Sequence, residues 1–138
     1  MDNDILAYFL RVSDEGVQYR GYLGEADNSL KAEQEYVGGL IAVVPLTDEI
    51  VLIVNDEGKI AGLPYNRVLV LDGRPVDVLA GNIMAVRHEG EDFASIQPED
   101  VPLVEEHLPP FKGMIEGNIL VGSQDSLPEY KGVMQDGD

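Results

Sequence analysis

An α+β fold follows from three observations. Short β-branched runs alternate with tight-turn signals, two segments with helical spacing are flanked by capping residues, and 44% of the chain is apolar, enough for a core. The strands are short and so are their connections, which predicts an antiparallel, meander-like sheet with two short helices and a partly mobile acidic C-terminal tail. The expected division is one domain over residues 1–122, with an N-terminal hairpin over 1–24 and a core over 29–111, then a flexible tail over 123–138.

Ile5 to Val12 is apolar and aromatic, Asp14-Glu15-Gly16 supplies a turn, and Val17 to Leu23 alternates with period two, the pattern of a β-hairpin. A polar loop over Glu25 to Ser29 leads into a helix capped by Asn28 or Ser29 and running to about Val37. Leu30, Tyr36 and Val37 share its apolar face, Lys31, Glu33 and Glu35 point elsewhere, and Gly38-Gly39 ends it. Leu40 to Leu46 reads as a strand, Thr47-Asp48-Glu49 turns the chain, and Ile50 to Val54 returns.

Asn55-Asp56-Glu57-Gly58 reads as a hairpin loop into a third strand over Lys59 to Leu63, broken by Pro64-Tyr65-Asn66. Arg67 to Leu71 continues as a strand, although Val68 to Leu71 also fits the start of a helical turn. Asp72-Gly73 turns into Pro75 to Leu79, and Asn82 to Val86 follows Gly81 as the next strand. An acidic loop over His88 to Asp92 precedes a second helix starting at Pro98, with Glu99 and Asp100 at the positive end of its dipole. Val101, Val104 and Leu108 form its apolar face, Glu105 and Glu106 lie off it, and Pro109-Pro110 stops it. Ile119-Leu120-Val121 adds a short strand. The expected core is Ile41, Val43, Val51, Ile53, Leu63, Leu79 and Ile83, or their strand neighbours if the register slips by one.

The balance of 9 Lys and Arg against 26 Asp and Glu gives a net charge of −17. No Cys is present, which excludes disulfide scaffolds, thiolate zinc sites and cysteine nucleophiles. No apolar run is long enough to span a bilayer, and the Met-Asp-Asn-Asp start has the wrong sign for a secretory leader, so a cytoplasmic location is expected. So acidic a chain is repelled by phosphates, which argues against direct contact with nucleic acid or anionic membranes. The charge itself has two readings: solubility, as in a salty cytoplasm, or an acidic surface for a basic partner. Density is highest at the C-terminal end, where residues 89–138 hold 12 acids against 2 Lys. Glu91-Asp92, Glu99-Asp100 and Glu105-Glu106 come in pairs, and the last four residues fit one negative helix face resembling the phosphate spacing of duplex DNA, about one charge per 1.7 Å.

No catalytic constellation emerges. His88 and His107 are far apart and belong to no metal-binding helix motif, and the serines lie in no nucleophile-elbow context. Neither cofactor nor metal is expected, and an enzyme is the least favoured class. Asn66-Arg67 after a proline turn is the most site-like spot: with Asn55 it offers polar contacts for a carboxylate or phosphate at a sheet edge, against the plainer reading of an Arg paired with a local acid.

Several segments, in order and spacing, resemble a known family. They are Val37-Gly38-Gly39, Asn55-Asp56-Glu57-Gly58-Lys59, Gly62-Leu63-Pro64-Tyr65-Asn66-Arg67 and Asp92-Phe93-Ala94-Ser95. Over roughly residues 29–111 the chain resembles the small bacterial and phage family called domain of unknown function 3846. The resemblance implies no reaction and no catalytic residues. It does imply a setting in phages, prophages and plasmids, and with it an accessory or anti-defence role. The leading expectation is therefore a non-enzymatic inhibitor of a mobile element. Its acidic residues Glu91, Asp92, Glu99, Asp100, Glu105 and Glu106 would occupy a basic nucleic-acid-binding surface on a host or defence protein. The alternatives are a small-ligand module using Asn55, Asn66 and Arg67, or an assembly protein that associates through a sheet edge.

Overall fold

A strand buried on both faces carries apolar residues at every position, whereas one with a wet face alternates. Three stretches have the first pattern: Ala7–Leu10, Ile50–Val54 and Ile83–Val86 are buried throughout. In a computed structural model that describes residues 3–132 they form the middle of one sheet.

The elements in chain order are β1 (Asp4–Leu10), β2 (Tyr22–Asp27), α1 (Leu30–Val37), β3 (Ile41–Pro45), β4 (Ile50–Asn55), β5 (Tyr65–Leu71), β6 (Arg74–Ala80), β7 (Ile83–Glu89), β8 (Asp92–Ala94), α2 (Val101–His107), β9 (Phe111–Ile115) and β10 (Asn118–Val121). The main sheet runs β2-β1-β7-β4-β3, with β8 pairing β7, and its pairings are antiparallel. β5–β6 and β9–β10 are separate two-stranded ribbons. The α+β class and the antiparallel pairing stand as expected.

The main sheet separates two cores. On one face, Tyr8, Leu10, Leu52, Val54, Ile83 and Ala85 pack against Leu69 and Leu79 of the β5–β6 ribbon and against Val104 and Leu108 around the end of α2. On the other, Ala7, Phe9, Val51, Ile53, Met84 and Val86 pack against Val37 and Tyr36 of α1. We call these the ribbon face and the helix face. α1 starts where Ser29 Oγ accepts from Ala32 N at 3.2 Å and ends at Gly38, whose φ of 84° suits glycine.

The sheet differs from a meander because β7 inserts between β1 and β4, and β3 and β7 occupy both edges of β4. The segment Lys59–Leu63, expected as a strand, therefore has no edge of β4 to join. It coils as turns, with Ala61 N donating to Glu57 O at 2.8 Å, and leaves Ile60 exposed. Gly58 is where this loop meets β6: a Cβ there would lie 2.9 Å from the Ala80 carbonyl oxygen.

The N-terminal hairpin forms, but its second strand starts at Tyr22, and Glu25–Asp27, expected as loop, complete it as partners of Leu6, Ile5 and Asp4. Tyr65 and Asn66, expected to break a strand, begin β5 instead, which also settles Val68–Leu71 as extended chain. Likewise His88 and Glu89 finish β7 and Asp92 opens β8, leaving Gly90-Glu91 as the turn. On α1 the expected apolar face is rotated: Leu30 is exposed and Glu33 is buried. Of the expected core, Val51, Ile53, Leu79 and Ile83 are buried and Ile41 and Leu63 partly so, but Val43 is 46% exposed because β3 is an edge.

Of the segment 123–138, residues 123–132 are described and 133–138 lie outside the described residues. Gln124 Nε2 donates to the carbonyls of Leu108 (2.7 Å) and Glu105 (3.2 Å), Arg20 N donates to Pro128 O (2.8 Å), and the Tyr130 ring stacks on Tyr22.

Candidate binding surfaces

β5 carries Asn66 and Arg67 into the interior, where both are fully buried. Asn66 Nδ2 donates to the carbonyls of Leu10 and Gly81, each at 2.9 Å, and Asn66 Oδ1 accepts from Arg67 Nη1 at 2.7 Å. Arg67 Nη2 donates to the Tyr19 carbonyl at 2.7 Å, while its Nε has no partner among the described residues. Burial pushes the guanidinium down to about 10, which leaves it a cation at neutral pH. Beside it the Tyr8 hydroxyl donates to Glu105 and is pushed up, first by burial and then by that bond.

These contacts tie the β5–β6 ribbon to β1, to the β1–β2 connection and to the end of β6. The sheet-edge ligand contact expected of Asn66 and Arg67 needs accessible atoms, and neither residue has them. Asn55 is structural too: its Nδ2 donates to the Val37 carbonyl (3.0 Å) and its Oδ1 accepts from Glu57 N (2.8 Å), joining the end of α1 to the turn after β4.

The acidic pairs are split by helix geometry. Adjacent residues diverge by about 100° in α2 and about 120° in the 3-10 turn Pro98–Asp100 that leads into it, so in the Glu99-Asp100 and Glu105-Glu106 pairs one member faces out and the other in. Glu99 and Glu106 are exposed. Asp100 is buried and accepts from Arg87 Nε and Nη2 (2.8 and 2.9 Å) and from Gln97 N (2.9 Å). The Arg87 bonds hold its carboxyl below the usual range, with help from the Gln97 amide. Glu105 is half-buried under Tyr8. The single negative helix face expected of Glu99, Asp100, Glu105 and Glu106 is thus reduced to Glu99 and Glu106. Glu91 and Asp92 are exposed on another element, the β7–β8 turn. The spacing of Gln97 and Asp100 was the available signal, since an acid three residues after a helix cap reaches back to the cap amide.

The cations are divided: Arg20, Lys31, Lys59, Arg74, Lys112 and Lys131 are exposed, and the other three turn inward or into contacts. Arg67 is buried, and Arg87 is held between Asp100 and Glu49. Arg11 lies over the rings of Tyr36 and Tyr130 and donates to the Tyr22 hydroxyl at 2.6 Å. Arg20 and Lys59 pair with Asp125 and Asp77. Among the described residues only Glu33 and Asp100 are buried carboxylates.

One open groove, of about 620 Å³, lies on the helix face at the β3 edge. Val43, Pro45, Val51 and Phe93 form its floor and Asp48 and Glu91 its rim. The His88 ring nitrogens lie 3.2 Å from the Gly90 carbonyl and 3.0 Å from the Asp48 carbonyl, which ties together the two loops that frame it. Among the described residues no group of three or more His, Asp or Glu side chains is placed to hold a metal ion, and no helix is long and apolar enough to cross a membrane.

The family model described as Domain of unknown function (DUF3846) matches residues 11–109. No curated protein and no solved structure matches the chain. Within the matched stretch the motif residues serve the fold. Asn55 holds the Val37-Gly38-Gly39 turn, Asn66 and Arg67 hold the ribbon, and Ser95 Oγ accepts from Leu6 N at 2.9 Å. The β9–β10 ribbon lies beyond the match.

Proposed function

The chain belongs to the DUF3846 family, and from that premise we propose that it is a non-enzymatic binding protein that covers a basic, nucleic-acid-binding surface of another protein with its own acidic exterior. One observation carries this reading: among the described residues only Glu33 and Asp100 are buried carboxylates, so the acids lie almost entirely outside. Arg67 is buried, Arg11 is stacked between tyrosines, and Arg87 is locked onto Asp100, so three of the nine basic residues do little to offset the surface charge. The exterior therefore carries a strongly negative field. Such a field attracts a basic surface and repels nucleic acid, the property required of an inhibitor that stands in for phosphates. In the setting of a mobile element, the natural target is a basic host or defence protein.

The contact residues on this reading are Glu91, Asp92, Glu99 and Glu106, with Asp100 and Glu105 reassigned to holding the fold. The test is capture of host proteins on the tagged chain, followed by two elutions. Release at about 1 M salt, where the screening length is about 3 Å, and displacement by duplex DNA are the expected results. Neutralising the four outward acids as Glu91→Gln, Asp92→Asn, Glu99→Gln and Glu106→Gln is expected to weaken capture at least tenfold. The same number of neutralisations at Asp14, Glu15, Glu25 and Glu35, also exposed, is the control. A partner that resists salt and ignores DNA overturns the reading.

A further inference from the structure

Antiparallel pairing leaves every second residue of an edge strand with its N–H and C=O directed away from the sheet. In β3 the phase is fixed by two bonds at its ends: Leu46 N donates to Ile50 O (2.9 Å) and Asp56 N to Leu40 O (2.8 Å). The even-numbered positions therefore bond to β4, and Ile41, Val43 and Pro45 direct their main-chain groups outward. Among the described residues no strand pairs with that side.

The same three residues send their side chains to the helix face, because Ala42 and Val44 pack on the ribbon side. α1 is anchored near Ile41 through Asn55, the residue opposite Ile41, and leaves Val43 46% exposed. An unpaired edge thus runs along an apolar groove floored by Val43, Pro45, Val51 and Phe93 and rimmed by Asp48 and Glu91. Pro45 has no N–H, so Ile41 and Val43 are the outward donors of this strand.

We propose that β3 is a docking edge for an extended, basic segment of a partner protein, which adds to the sheet as a further strand. Residues two apart in a strand face the same way. The segment therefore places an apolar side chain over Val43 and, two residues on, a Lys or Arg beside Asp48 and Glu91. Main-chain bonds to Ile41 and Val43 hold it, and the rim charges select a basic sequence over an acidic one. This rests on the partner being basic, as proposed above, and adds the place and mode of its attachment.

The probe is the blocked peptide Thr-Lys-Thr-Val-Thr-Lys-Thr, which reads the same in either strand direction and puts its Val and both Lys on one face. Titrated into the isotope-labelled full chain, it is expected to shift the amide signals of Ile41, Val43 and Glu91 and to slow exchange at Ile41 and Val43 about tenfold. The analogue with Glu in place of Lys is expected to leave them unmoved. Val43→Pro removes the outward donor without removing a bond made within the sheet, and should abolish binding. The double reversal Asp48→Lys and Glu91→Lys lies in exposed turns and should exchange the preference toward the Glu peptide, so the result does not depend on one variant folding. Absence of binding, or shifts scattered over exposed acids and unchanged by Val43→Pro, overturns the proposal. If a captured protein is released by salt and DNA equally from parent and Val43→Pro chains, the acidic-surface reading survives and strand addition falls.

Discussion

The two faces of the central sheet are built from alternate residues of the same strands, yet they are finished differently. The ribbon face is covered by β5–β6 and α2, and its polar groups are internal: Arg67 on Asn66 and the Tyr19 carbonyl, Asp100 on Arg87. The helix face is covered by α1 and opens at β3 into the groove beside Val43 and Phe93. The ribbon leaves only a cleft of about 250 Å³ beside Ala42 and Val44, whereas the eight-residue helix leaves the larger groove of about 620 Å³. The difference teaches where to look for binding: on this chain the charged residues with most contacts are fold-holding, and the accessible chemistry is at an edge with plain apolar side chains.

The largest expected effect sharpens that contrast on the closed face. Arg67→Ala empties a buried volume and strips the Tyr19 carbonyl and Asn66 Oδ1 of their donor, so it should cost about 3 kcal/mol or more in urea unfolding. A ligand-binding Arg at an open edge would show almost no change in the same experiment. Next, Leu52→Ala on the ribbon face should cost about 3 kcal/mol, whereas Val43→Ala on the open side should cost no more than about 0.5 kcal/mol. Equal losses would mean that Val43 is covered in solution.

The smallest effect is one of sign with pH. Glu33 on the helix-face side is pushed up by burial and then by Asp27, so its ionised form weakens the fold at neutral pH. Glu33→Gln should raise Tm by roughly 1–3 °C at pH 7, and the gain should vanish as pH falls below the ordinary carboxylate range. Asp100 on the ribbon side behaves oppositely. Its carboxyl is depressed, so its contribution is present above the ordinary carboxylate value and is lost as pH falls through the depressed one. Thermal unfolding of Glu33→Gln and Asp100→Asn across pH separates the two faces by slope.

Much of the local structure was legible in the residues. Ser29 and Gly38 announced the ends of α1, and Asp72-Gly73 announced the β5–β6 turn, because cap and turn chemistry acts over three or four residues. Lys59–Leu63 differs from the expected strand because the edge of β4 that a hairpin would use is taken, on one side by β3 and on the other by β7, a strand from later in the chain. The candidate site was less legible than the fold. Glu99 and Glu106 face outward as the acidic reading requires, but their neighbours Asp100 and Glu105 are drawn in by Arg87 and Tyr8, partners 13 and 97 residues away in the chain.

The sequence by itself determined the class of fold, the element boundaries set by local chemistry, and the negative character of the surface, since net charge and short-range propensity need no partner. Tertiary structure alone decided which strand is an edge, which arginine is interior and which half of each acidic pair meets water. Those outcomes depend on long-range pairing, β1 with β7 above all, and on whether a cation close in space can offset the cost of burying a carboxylate.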